Sequence, residues 1–315
     1  MEGYVAYAVF FLTVSSIYAL VCLGLNLQWG VTGLFNVGIA GFFAVGAYTT
    51  ALLTGPDYPG QFGGFSLPVP VGWLGALVMA GLAALVVGIP TLRLRDDHLA
   101  ISTFGIAIVI QLVALNFQKL TGGPLGINFI PRPLAGLLGG SGSYGVFYLA
   151  VVAVILALAY AGMERLVRSP WGRVLRAIRE DEGAAASLGK SAAVFRLQAF
   201  VLGSTLMGLA GGMYASFVGF ISPADFQPIL TFQIWTMLIL GGSGNNRGAL
   251  IGAYAVWALW SASGALMHAL LPAALQVRGA ALQIVLIGLA LAIALVLRPR
   301  GLIGEQAVVS RHARL

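Results

Sequence analysis

Between Glu2 and Asp57 the chain runs through 54 residues without one charged side chain. Such a stretch accommodates two membrane-spanning helices of roughly 20 residues each and a connection between them. In hydrocarbon only helices and closed β-barrels satisfy every backbone donor and acceptor. Barrel strands alternate apolar and polar residues, and these runs do not. The expected fold class is therefore an all-α polytopic membrane protein. Composition agrees: 59% of residues are hydrophobic and 9% charged, against roughly 25% charged in an ordinary soluble domain. The gaps between charges predict spans near 5–25, 37–54, 71–91, 99–117, 145–162, 197–219, 229–241, 249–270 and 280–297. That is nine spans, or eight if the short segment 229–241 is a half-span or re-entrant element. The run from Tyr4 to Leu25 lacks a basic lead and is long for a signal peptide, so it reads as a retained first span.

The charges are concentrated. Eleven of the 27 lie in residues 164–196: Glu164, Arg165, Arg168, Arg173, Arg176, Arg179, Glu180, Asp181, Glu182, Lys190 and Arg196. Charge at a bilayer centre costs at least about 2.5–3.5 kcal/mol per residue, so this island is an organised polar surface presented to water. Thirteen of the seventeen basic residues fall in clusters at 93–98, 163–196 and 298–315, and span parity puts all three on one side. The positive-inside bias makes that side cytoplasmic and the C-terminus with it, leaving Lys119, Arg132 and Arg278 outside. The net charge of +7 is thus a topology signal rather than a nucleic-acid surface. Cys22, the single cysteine, lies in an apolar run and cannot form an intrachain disulfide.

Three stretches break the regular pattern: Asn26–Asn36, Thr121–Ile127 and Leu240–Gly248. The first carries amides, glycines and no charge. It is either irregular backbone lining a cavity at membrane depth or an interfacial hairpin with Trp29 at the headgroups. Gly208 and Gly212, Gly248 and Gly252, and Gly38, Gly41 and Gly46 suit close helix packing. Gly46-Ala47-Tyr48 recurs as Gly252-Ala253-Tyr254, a possible trace of an internal repeat. Neutral amides can hydrogen-bond a zwitterion in transit without holding it, so Asn26, Gln28, Asn36, Gln111, Asn116 and Gln233 are candidate pore residues; interhelical hydrogen bonding is the alternative for each.

Within the island, Ser169 is placed to cap a helix with Pro170 at its first position. Trp171, Val174, Leu175 and Ile178 then fall on one face, with Arg173, Arg176 and Glu180 opposite. A small-residue run from Gly183 follows, and Gly189 is placed as a helix terminator. A solvated connector needs neither stripe nor caps, whereas a docked helix pair needs both.

The stretches SPWGRVLRAIREDEGAAASLGK, GLNLQWGVTGLFNVGIAGFFAVGAYT, LTGGPLGI and LGGSGNNRGALIGA together resemble the permease subunits of bacterial branched-chain amino acid ABC importers, the M-type most closely. The resemblance covers about residues 18–302 in the family's order. It implies one permease domain over 1–315 in the bacterial inner membrane, paired with a sister permease, two cytoplasmic ATPases and a periplasmic binding protein. It further implies that the loop 163–196 carries the coupling helix seated on the ATPase. Trp171, Arg173, Arg176, Arg179, Glu180, Asp181, Glu182 and Gly183 are its candidate contacts. The family's acidic-Ala-Ala loop is degenerate here: Glu182-Gly183-Ala184 opens it, and the glycine follows seven residues after the glutamate.

Energetics point the same way. The chain has no GxxxxGK[ST] phosphate loop, so ATP is expected on the partner subunits and no cofactor on this chain. His268 is the sole ionisable group within a predicted span and reads as interfacial, which leaves no evident site for coupling to an ion gradient. Reversing Arg176 and Glu180 is expected to uncouple hydrolysis from uptake. Asp96-Asp97-His98 is a membrane-edge charge group rather than a ligand set, and no enzyme-like cluster stands out. The remaining alternatives are a permease for urea or short amides and an ion-coupled carrier.

Overall fold

The computed structural model describes residues 2–57, 62–94, 96–133, 141–270 and 301–304, with eight scattered positions between 282 and 296. Among them the elements are helical: α1 (Glu2–Leu25), a π-helical turn (Asn26–Val31), α2 (Ile39–Thr54), α3 (Val69–Thr91), α4 (Asp96–Asn116), α5 (Gln118–Thr121), α6 (Ser141–Arg168), α7 (Pro170–Glu180), α8 (Glu182–Ser187), α9 (Ala192–Val218), α10 (Pro228–Gly241) and α11 (Asn246–Leu270). Six described helices are long and apolar enough to cross a membrane, and α2 and α10 are shorter apolar helices. The protein is thus a polytopic all-α membrane protein. The predicted ninth span at 280–297 lies mostly outside the described residues. So do Arg278, the His268 side chain and the tail 298–315 apart from 301–304.

Several helices overrun their predicted ends. α6 was expected to stop at 162, before the first charge, yet it continues to Arg168. α9 begins at Ala192, with Arg196 inside its first turns. A helix does not end where hydrocarbon ends; long charged side chains carry it onward into the headgroups.

Packing rests on backbone contact between helices. α2, α3 and α9 form the closest group, and α1 lies in the middle of α6, α9 and α11. The seam between α2 and α9 closes on bare backbone: a methyl at Gly46 would strike the Gly208 carbonyl, and one at Gly211 the Phe43 carbonyl. Gly208 and Gly212 also face α3, against Ala80 and Ala76. α10 meets α11 through Gly241, Gly248 and Gly252 in the same way. Lipid gives helices no hydrophobic drive to associate, so this close approach is what van der Waals attraction requires. The two Gly-Ala-Tyr stretches both lie inside helices, with Tyr254 Oη 2.7 Å from Ser16 Oγ and the buried Tyr48 hydroxyl without a partner among the described residues.

The two ends of the bundle differ. At one end Ile127 and Ile221 exchange backbone hydrogen bonds of 2.9 and 3.1 Å, joining the α5–α6 and α9–α10 connections. At the other lie α7, α8, the π-helical turn and the α10–α11 connection. Residues 301–304 join that end, with Leu302 N and Ile303 N donating to Leu240 O and Gly241 O at 2.8 and 3.0 Å.

Candidate functional site: a helix pair seated on a buried break

α7 and α8 form the predicted helix pair. Ser169 Oγ caps α7 by accepting from Gly172 N at 3.4 Å, and Asp181 Oδ1 caps α8 by accepting from Ala184 N at 2.9 Å. Gly189 ends the unit at φ +75°, in the left-handed region. Leu175 and Ile178 are fully buried, and Ile178 packs with Ala185, Ala192, Val174 and Phe195 at the start of α9. Trp171 Nε1 donates to Gln198 Oε1 at 2.8 Å, and Glu182 pairs with Arg196 at 3.1 Å. The inner face of the pair is therefore fixed to α9. Its outer edge stays open: Arg173, Glu180, Asp181, Glu182 and Gly183 are exposed, and Leu188 is 81% exposed.

Two of the candidate contact cations, Arg176 from the predicted outer face and Arg179, point inward. Arg176 Nη2 donates to Val167 O at 2.8 Å, satisfying a carbonyl left free at the end of α6. Arg179 donates through Nη1 to Gly30 O in the π-helical turn. Reversing Arg176 together with Glu180 would therefore also disturb the α6–α7 joint, whereas Arg173 is an outer-edge residue.

The run from Ala184 to Ser191 ends in Gly189-Lys190-Ser191, the closing residues of a phosphate loop. It has alanine in place of the first glycine, and it begins inside helix α8 rather than after the strand such a loop requires.

Beneath α7 the first break is both irregular and covered. Asn26, Leu27, Gln28, Gly30 and Val31 are buried in a π-helical turn, a geometry that concentrates at functional sites. It lies at the α7 end, where a hairpin would sit, but protein shields it. Trp29 packs on Phe35 and Trp235 with ring centroids 5.1 and 5.3 Å away. Gln28 Nε2 donates to Phe200 O (2.8 Å) and Ser204 Oγ (3.1 Å), and Gln28 Oε1 accepts from Asn36 Nδ2 (2.8 Å). Asn36 Oδ1 accepts from Gly38 N, and Asn36 O accepts from Trp235 Nε1 on α10 at 3.0 Å. Asn26 Oδ1 accepts from Gly244 N at 2.8 Å, while its Nδ2 donates to Asn246 Oδ1 at 2.9 Å. Asn246 Nδ2 donates in turn to Glu164 Oε2 at 2.8 Å, and Glu164 pairs with Arg168 at 2.6 Å.

The six candidate pore amides thus separate. Asn26, Gln28 and Asn36 are wholly buried and hydrogen-bonded to protein. Gln111 and Gln233 lie half-buried on α4 and α10, and Asn116 is exposed at the end of α4, bonded to Leu112 O at 2.8 Å. Gln111 Nε2 donates to Pro223 O at 3.2 Å and lines a small cavity with Phe104, Ala107, Phe226, Pro228 and Thr231. Gln233 Nε2 is buried without a partner among the described residues. Sequence reasoning passed over Glu164 and Asn246. Glu164 stood among ten other charges, and its partner lies 82 residues away.

The described residues thus form a bundle of apolar membrane-spanning helices with a polar helix pair seated over a shielded break at one end. Comparison narrows the class. The family model described as branched-chain amino acid transport system / permease component matches residues 7–296, and the chain belongs to that family. It is 38% identical over 262 residues to the high-affinity branched-chain amino acid transport system permease protein LivM of Escherichia coli K12, covering 76% of this chain and 60% of that protein. It is 30% identical over 263 residues to a probable LivM of Methanocaldococcus jannaschii, covering 75% of each. To LivH of Escherichia coli K12 it is 27% identical over 250 residues, covering 76% of this chain and 79% of that one. No solved structure matches the chain.

Proposed function

We propose that the chain forms, with a sister permease, the membrane passage of an ATP-binding-cassette importer for branched-chain amino acids. Two separate cytoplasmic ATPases drive it, and a periplasmic binding protein delivers the substrate. ATP binds those partners and this chain carries no cofactor. Residues 1–315 act as one permease domain in the inner membrane, with the loop 163–196 and the C-terminus on the cytoplasmic side. The observation that carries the reading is the α7–α8 pair, fixed inside by Leu175 and Ile178 and open along Arg173, Glu180–Gly183 and Leu188. An exposed leucine flanked by charges suits a groove on a soluble partner.

The path runs over the α4–α10 face. α10 has 14 residues, or about 21 Å at 1.5 Å per residue, which falls short of the ~30 Å hydrocarbon layer. Its irregular ends need protein or a water-lined cavity around them rather than lipid, and the sister permease supplies that cover. Gln233 and Gln111 face the substrate there, while Asn26, Gln28 and Asn36 hold the frame behind it.

Gln233 Nε2 is a buried donor without a partner among the described residues, and exchanging it for an apolar group of similar size removes that desolvation penalty. Gln233→Leu is therefore expected to leave the melting temperature unchanged or raised while cutting uptake about tenfold, equivalent to ~1.4 kcal/mol. A drop in both would make Gln233 a structural residue. The substrate class is tested by ATP-dependent uptake into vesicles holding the full complex. Leucine, isoleucine and valine are expected to accumulate; uptake of urea or acetamide in their place would overturn the assignment.

A further inference from the structure

The hydrogen-bonded chain from Glu164 through Asn246 to Asn26 joins three elements that sequence keeps far apart. Glu164 lies one turn before the end of α6, where the chain turns into α7. Asn246 opens α11, and Asn26 opens the π-helical turn after α1. Asn26 is wholly buried and Asn246 is 4% exposed, while Glu164 is half-buried with 27% of its side chain exposed. Every link runs from an amide N–H to a carbonyl or carboxylate oxygen, so the chain has one polarity and ends on a negative charge. Asn26 also accepts from Gly244 N, which ties the α10–α11 connection to the same point.

A wholly buried amide is a poor filler unless both its oxygen and its nitrogen are bonded. At Asn26 both are, and each partner belongs to the α10–α11 region. Removing Asn246 leaves Asn26 Nδ2 bare, and removing Glu164 does the same to Asn246. The chain is therefore made or broken as a unit, a property suited to a two-state linkage. Its outer end is set by α6, whose C-terminus is tied to α7 by Ser169 Oγ donating to Leu166 O and Arg176 Nη2 donating to Val167 O. Its inner end is set by the break, which reaches α10 again through Asn36 O and Trp235.

We propose that Glu164 is a positioning residue for transport: through Asn246 and Asn26 it carries displacement of the α7–α8 pair to the break and to α10. The inference rests on the transport reading above and extends it to residues that touch neither ATPase nor substrate. Arg168 is dispensable to it, because the ion pair to Glu164 lies outside the amide chain and Arg168 is 70% exposed.

The test measures substrate accumulated per ATP hydrolysed in vesicles holding the full importer. Glu164→Leu is expected to lower that ratio about tenfold with the hydrolysis rate within twofold of the unsubstituted complex. Glu164→Gln, which keeps an oxygen to accept from Asn246, is expected to restore the ratio to within twofold, and Arg168→Ala to leave it unchanged. Equal losses in Glu164→Gln and Glu164→Leu would overturn the proposal, as would a normal ratio in Glu164→Leu. Failure of Glu164→Leu to accumulate in the membrane would make the chain a folding element and overturn it equally. Absence of ATP-dependent uptake in the unsubstituted complex would instead count against the transport reading itself.

Discussion

Gly46→Ala should lose most of its folded protein, although the change adds a single methyl group. The new carbon would meet Gly208 O, C and Cα, all backbone atoms of α9. No rotamer can move to admit it, and Gly208 is itself backed by Ala80 and the Ala76 carbonyl of α3. Three helices would have to separate, and the next contact along the seam, Gly211 on Phe43 O, would open with them. Overpacking an ordinary core costs about 1–3 kcal/mol, sometimes more. Backbone against backbone belongs at or above the top of that range, a large fraction of the ~5–15 kcal/mol that stabilises a typical domain. Gly105→Ala on α4 adds the same methyl where no described atom lies within 4 Å, and should match the unsubstituted chain. Yield of monodisperse protein and its melting temperature, measured for both, check the contrast. Equal behaviour of the two variants would refute the α2–α9 seam.

Arg179→Glu should abolish uptake while sparing ATP hydrolysis. The Arg179 stem lies on Gly33, whose φ of +78° keeps that surface free of a side chain; a Cβ there would be 3.0 Å from Arg179 Cγ. The guanidinium then donates to Gly30 O inside the break. Hydrogen bonds to charged groups contribute about 1.5–3 kcal/mol. Replacing the donor by a carboxylate that repels the same carbonyl should cost at least that, about 100-fold in uptake. The outer edge from Arg173 to Leu188 is unaltered, so the ATPases should still dock and turn over. Parallel measurement of phosphate release and uptake decides it. Normal uptake would remove Arg179 from the coupling route, and loss of hydrolysis with uptake would place it in the docking surface itself.

The legible and illegible parts of this fold divide along physical lines. Apolar runs of about 20 residues declare themselves, because hydrocarbon tolerates little else, and the α7 cap was readable from Ser169-Pro170 alone. Direction was not readable. Periodicity put Arg176 on the outer face, yet a long flexible side chain can turn back to a carbonyl at Val167 that no periodicity encodes. The break between Asn26 and Asn36 announced itself by composition, but its cover comes from far along the chain: Phe200 and Ser204 of α9, Trp235 of α10, and Arg179 of α7, which reaches Gly30 across 149 residues. The amides show the same limit. Asn26 finds Asn246 across 220 residues, so its commitment to a protein partner is a property of the assembled bundle. Gln233 could be set apart from the other candidates only once the partners of each amide were known.

The central claim is that this passage has no drive of its own and is worked through the α7–α8 pair. It is tested most directly by loading purified chain into vesicles, first alone under imposed proton and sodium gradients, then with its ATPases, sister permease and binding protein with ATP inside the compartment the ATPases face. No accumulation is expected in the first case and ATP-dependent accumulation in the second, lost when Arg173→Glu and Glu180→Arg are combined at the outer edge of the pair. Solute pumped by the isolated chain down an ion gradient, or full uptake by the complex carrying that double variant, would contradict it.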